Sequence, residues 1–235
     1  MDRAQLWVYL AEQPLLWLTV TLIAYMIGHH AFVRSGSRAV VNPVAIAALL
    51  LAGLLVLTGT PYAEYFEGAQ FVHFLLGPAT IALAWPLYQN FARIRRLILP
   101  MLAALLVGSV VSVGSAVAIA YSLGAPGEVW LSVAPKSVTS PVAMGVAEKI
   151  GGLPTLTAGL VIITGIIGAI LVTPLLDMLR IKDWRARGMS VGVAAHGIGT
   201  ARAFQVSPVA GVFAATAMVL NALITALVAS LLVTL

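Results

Sequence analysis

Residues 153–176 read LPTLTAGLVIITGIIGAILVTPLL, from Leu153 to Leu176, and this run decides the fold. Coiled as an α-helix it extends roughly 36 Å, enough to cross the ~30 Å hydrocarbon core of a bilayer. A membrane strand would alternate apolar and polar residues over about ten positions. This run is apolar all round. In lipid every backbone polar group must be satisfied internally, which leaves only helices and closed barrels, so the run is a transmembrane helix. The composition agrees: of 235 residues, 61% are hydrophobic and 9% charged, against about 25% charged in an ordinary soluble domain, and the mean hydropathy is +1.03. The expected fold is an all-α integral membrane protein, with 1–235 forming a single membrane domain.

Similar runs at about 6–27, 40–58, 69–90, 97–123 and 208–235 bring the number of full transmembrane helices to about six. The first carries Asp2 and Glu12 and lacks a small-x-small cleavage site, so it reads as a retained helix and not a signal peptide. Two segments, 131–150 and 188–206, break the pattern, being rich in Gly, Pro, Ser or Thr with a charge in the middle. The formal charge of +5 comes with no basic face or nucleic-acid motif, so nucleic acid is not the expected partner. The excess reads as topology. Nine of the 13 basic residues fall in three loops, at Arg34 and Arg38, at Arg93, Arg95 and Arg96, and at Arg180, Lys182, Arg185 and Arg187. The positive-inside bias makes those loops cytoplasmic. Glu64, Glu67 and Glu128 mark the opposite side and place the N-terminus outside.

Between the loops at 93 and 180 lie three candidate segments, yet two cytoplasmic loops require an even number of crossings. The segment 131–150, interrupted by Pro135 and Pro141, is therefore read as a re-entrant or broken helix from the outer side, with 188–206 its counterpart from the inner side. The alternative is a full crossing by 131–150, which puts the 180 loop outside.

Four units, Asn42-Pro43, Gly77-Pro78, Ser140-Pro141 and Ser207-Pro208, each precede small apolar residues. A capping residue or glycine followed by proline marks a helix start. A helix start at mid-membrane presents free N–H groups and the positive end of the macrodipole, an arrangement that secondary transporters aim at anionic substrates. Lys136 lies just before Ser140, and Arg202 closes the run His196-Gly197-Ile198-Gly199-Thr200-Ala201-Arg202. Burying either cation costs ~3 kcal/mol, and a cation beside a helix start opposes the dipole, so a bound anion is the natural compensation. The candidate substrate-binding residues are Lys136, Ser137, Thr139, Ser140, His196, Gly197, Gly199, Thr200, Arg202 and Asn42. The structural alternatives are that Lys136 snorkels to the outer interface, Arg202 pairs with Glu148 or Asp177, and His196 hydrogen-bonds across helices. No cysteine is present, which excludes disulfides and thiolate metal sites. Neither a nucleophile, a metal cluster nor a phosphate loop is legible, and Gly197-x-Gly199 lacks the strand that a nucleotide fingerprint needs. No enzymatic activity, cofactor or metal is expected.

The run from Pro135 to Gly145 with Ile150-Gly151-Gly152-Leu153-Pro154, and the run from Ala195 to Ala203 with Arg187-Gly188, resemble the LrgB/CidB family. The Asn42-Pro43 start, Tyr62 to Tyr65, and Leu83 to Tyr88 fit as well, so the resemblance covers nearly the whole chain. Trp85 and Ser140 are mild departures from the family pattern. The resemblance implies two accounts. Bacterial members are named as holin-like or antiholin-like modulators of murein hydrolase activity and cell lysis, alongside a small LrgA/CidA-type membrane protein. A related plant plastid protein exchanges glycolate and glycerate, and bacterial relatives are associated with pyruvate uptake. A lesion-forming holin has no evident use for two charged, broken segments, whereas a carboxylate carrier needs both. The favoured reading is a secondary transporter for small monocarboxylates, in the bacterial cytoplasmic membrane, of inverted-repeat build. The alternative is the holin/antiholin-like modulator. The implied partners are a small organic anion, membrane lipid, the LrgA/CidA-type protein and further copies of the chain, as a homodimer or larger.

Overall fold

The computed structural model describes residues 14–82 and 84–231, all of whose regular structure is helical. The ends of the first and last expected spans, 6–13 and 232–235, lie outside the described residues. Packing divides the chain into two compact units, 1–85 and 86–235.

In the first unit α1 (Pro14–Arg34) packs on α2 (Pro43–Thr58) and α3 (Tyr62–Phe74). Trp17, fully buried on α1, meets the edge of Tyr65 with ring centroids 5.8 Å apart. The expected span 69–90 is not one helix. It is divided among the end of α3, α4 (Leu76–Ala82) and α5 (Ala84–Gln89). Proline explains both interruptions, because it has no N–H to give to the carbonyl four residues back. For Pro78 that residue is Phe74 and for Pro86 it is Ala82, the last residues of α3 and α4.

The second unit holds three long helices, α6 (Phe91–Ser122), α9 (Pro154–Met178) and α11 (Pro208–Leu231). With α1, these are the helices among the described residues that are long and apolar enough to cross a membrane, and α2 is a shorter apolar one. Packing fixes their directions. Ser109 pairs with Thr225, and Val113 packs with Ala229, while Met101 lies with Val212 and Phe213, so α6 and α11 run parallel. α9 runs against both.

Between α6 and α9 stand α7 (Gly127–Val133) and α8 (Ser140–Ile150), each too short to span a bilayer. Ser132 on α7 accepts the Leu153 N–H at 2.7 Å and its carbonyl accepts the Thr157 hydroxyl at 2.9 Å. A Cβ on Gly152 would come within 2.9 Å of the Ser132 nitrogen, so only glycine allows this closure. The chain that leaves Ser132 therefore returns to it by residue 152, and α7 and α8 form a hairpin. Its turn reaches down to Val138, packed with Val161 of α9.

The segment 188–206 lies within α10 (Trp184–Val206), which is broken at His196, where φ is 39° and ψ −133°. A straight helix would hold Trp184 and Val206 roughly 33 Å apart. Instead they line one small pocket, and Val191 packs with Ala203 and Ala210. α10 is thus a second hairpin whose tip is His196. Its base is tied to the far end of α9, where Arg187 donates to Asp177 at 2.6 Å and to the Ile181 carbonyl at 3.1 Å. The two hairpins enter from opposite ends of α9, and each continues into a long helix, so hairpin-plus-helix occurs twice in opposite orientation.

Candidate substrate site

Both tips converge on α9 near Val161. The first tip carries Lys136, whose Nζ donates to Ser112 Oγ at 3.2 Å and to Ser137 Oγ at 3.4 Å; the two hydroxyl oxygens are 2.6 Å apart. Pro135 and Pro141 keep residues 134–139 from closing into continuous helix, leaving turn bonds such as Lys136 N–H to the Val133 carbonyl at 3.2 Å. Thr139 precedes α8 in an extended conformation and its side chain makes no cap bond. Among the described residues the ion pairs are Arg185–Asp183 and Arg187–Asp177, and neither includes Lys136.

A cavity of about 750 Å³ opens beside Lys136, within the ~300–1,000 Å³ typical of small-molecule sites. Its polar lining is Ser112 of α6, Lys136 and Ser137 of the first tip, Thr164 of α9 and Ser190 of α10, set among Ala, Val, Ile and Gly. Lys136 is the one charged residue of that lining. An ammonium flanked by hydroxyls in a mainly apolar cavity has the chemistry to make charge-assisted bonds to a small anion, and those are the strong ones.

The other expected residues sit differently. Thr139 and Ser140 form the start of α8. His196 Nε2 lies 2.9 Å from the Val161 carbonyl, a bond across helices, and Thr200 donates to the His196 carbonyl at 2.7 Å. Gly199 packs on Val191 and Ala195, and Gly197 faces Met218. Arg202 donates to Gln205 at 3.3 Å and lines a separate, far smaller pocket with Arg187 and Trp184. Asp177, a partner considered for Arg202, is taken by Arg187. Lys136 and Arg202 thus face different cavities. Asn42 belongs to the other unit, where its Oδ1 caps α2 by accepting the Val44 and Ala45 N–H groups at 2.9 and 3.1 Å. Ser112, Thr164 and Ser190 escaped the sequence reading. Their one signal is a hydroxyl among small and apolar neighbours, which is also what a hydroxyl bonded to its own helix backbone looks like.

In the loop between α9 and α10, Asp183 caps α10 by accepting the Arg185 N–H at 2.9 Å. The Arg185 guanidinium hydrogen-bonded to Asp183 holds that carboxyl below the usual carboxylate range.

The model of the LrgB-like family matches residues 21–235. An uncharacterized protein of Bacillus subtilis, YwbG, is 35% identical over 208 residues, covering 88% of this chain and 92% of its own length. The antiholin-like protein LrgB of Bacillus mycoides is 31% identical, covering 92% of this chain and 94% of the relative. The holin-like protein CidB of Staphylococcus epidermidis is 29% identical over 94% of this chain and 96% of its own. No solved structure gives a significant match.

Proposed function

Because this chain belongs to the LrgB-like family of bacterial membrane proteins, we propose a function beyond what its relatives' names state: it is a secondary carrier of small monocarboxylates of the glycolate, glycerate and pyruvate kind. One observation carries this reading. Lys136, with no carboxylate partner among the described residues, lines a cavity between two re-entrant hairpins together with Ser112 and Ser137. A half-buried ammonium without a counter-ion is costly in a membrane, and a carboxylate in the cavity supplies that counter-ion. Two hairpins of opposite orientation meeting at mid-membrane are the usual frame for alternating access. The working unit on this reading is a multi-pass homo-oligomer, accompanied by a small LrgA/CidA-type membrane protein.

The second reading is a holin-like or antiholin-like modulator of murein hydrolase activity and lysis. The names CidB and LrgB favour it, while the cavity beside Lys136 favours the carrier. Reconstitution separates the two. Liposomes holding the purified protein should take up labelled glycolate, glycerate or pyruvate saturably while retaining calcein. Calcein release at the same protein density, with uptake that does not saturate, would move the assignment to the lysis modulator.

A further inference from the structure

Asn221 on α11 is 1% exposed, and its Nδ2 donates to the Val193 carbonyl at 3.3 Å. Its Oδ1 is buried and accepts no hydrogen bond from the protein. An unsatisfied carbonyl oxygen in a dry interior costs several kcal/mol on transfer scales, and native structures rarely leave one without a ligand, water or ion. The carbonyl that Asn221 meets belongs to a helix end. The first arm of α10 ends at the His196 break, and a helix end leaves its last four carbonyls without intrahelical partners. Those belong to Gly192, Val193, Ala194 and Ala195, and they form the negative end of that arm's dipole. Asn221 satisfies one of them. The combination of an orphan amide oxygen and a helix C-terminus, where the two hairpins meet, has the chemistry of a cation ligand set.

We propose that Asn221 Oδ1 and the terminal carbonyls of the first arm of α10 hold a monovalent cation of the sodium class. The charge of the ligand set selects the valence. Among the described residues no Asp or Glu is buried, whereas divalent cations are held by carboxylates, so neutral oxygens match a single charge. The site also has a polar connection to the cavity. Thr225, one turn beyond Asn221, pairs with Ser109 at 2.9 Å, and Ser112, one turn beyond Ser109, touches Lys136. A cation at Asn221 and an anion at Lys136 would each lower the cost of burying the other.

The inference rests on the helix break and the orphan oxygen and does not need the carrier reading, so its test uses no carboxylate. The purified protein in detergent is unfolded thermally in NaCl, KCl and choline chloride at matched ionic strength. Saturating Na⁺ should raise the midpoint by about 5 °C over choline, Asn221→Ala should abolish that rise, and Asn221→Asp, which keeps the oxygen, should retain it. Equal midpoints of the wild-type protein in all three salts, as an ordered water at Oδ1 would give, overturn the proposal. A full Na⁺ rise in Asn221→Ala overturns it too. Should Asn221→Ala fail to fold, the wild-type salt comparison and the Asn221→Asp variant decide.

Discussion

At the scale of single residues, Lys136 and Arg202 looked alike in the sequence, each a cation beside a small-residue helix start. The structure separates them: Lys136 opens onto the large cavity, while Arg202 donates to Gln205 in another pocket. Their substitutions should therefore diverge. A hydrogen bond to a charged group contributes ~1.5–3 kcal/mol, and each ~1.4 kcal/mol is a factor of ten in affinity. Lys136→Gln should weaken glycolate or pyruvate binding roughly 10- to 100-fold, whereas Arg202→Gln should leave it within about twofold. Binding isotherms on folded protein decide between this and an anion shared by both cations, for which the two losses would match. Lys136 was legible because prolines on both sides made a helical reading untenable. Ser112 was not, because the residue that gives it a role lies 24 positions away and no local pattern connects them.

At the scale of elements, the legible features were the helix starts. α2 and α11 begin at Pro43 and Pro208, and α4 and α8 begin within two residues of Pro78 and Pro141. Proline's missing N–H acts locally, so one sequence suffices to find it. The hairpin of α10, expected within 188–206, had no such mark to place its tip. Its tip is a histidine at positive φ, and nothing in Ala195-His196-Gly197 distinguishes a sharp reversal from the small-residue packing common between membrane helices. What stabilises the tip is tertiary: the His196 ring is seated over Gly165, where a Cβ would come within 2.6 Å of Cε1 and 2.9 Å of Nε2. That ring is also held by the Val161 carbonyl, so it cannot swing aside freely. Gly165→Ala should destabilise the protein by about 1–3 kcal/mol, the usual cost of overpacking. Gly159 on the same helix faces open space, so Gly159→Ala should be neutral or gain up to ~1 kcal/mol from helix propensity. Thermal unfolding of the two variants side by side is the measurement, and equal midpoints would remove the seat from the account of the hairpin.

For the whole molecule, the parity of crossings gives the strongest prediction. α6 and α11 run one way and α9 the other, so Arg95 and Arg96 near the start of α6 lie at the same end of the unit as Arg180, Lys182, Arg185 and Arg187 after α9. That end carries the base of the α10 hairpin, and the base of the α7–α8 hairpin lies at the other end with Glu128. The positive-inside rule predicts that the basic end is cytoplasmic and, with it, that the two hairpins enter from opposite sides. Cysteine scanning is direct here, because the chain has no cysteine of its own. Glu128 and Lys149 are exposed near the two feet of the first hairpin, as are Lys182 and Gln205 at the second. In intact cells, Glu128→Cys and Lys149→Cys should both react with an impermeant maleimide, and Lys182→Cys and Gln205→Cys only after the membrane is opened. Labelling of 128 and 149 from opposite sides would mean that the segment crosses. The loop at 180 would then lie outside, and the two hairpins could no longer face one another across a shared mid-membrane site.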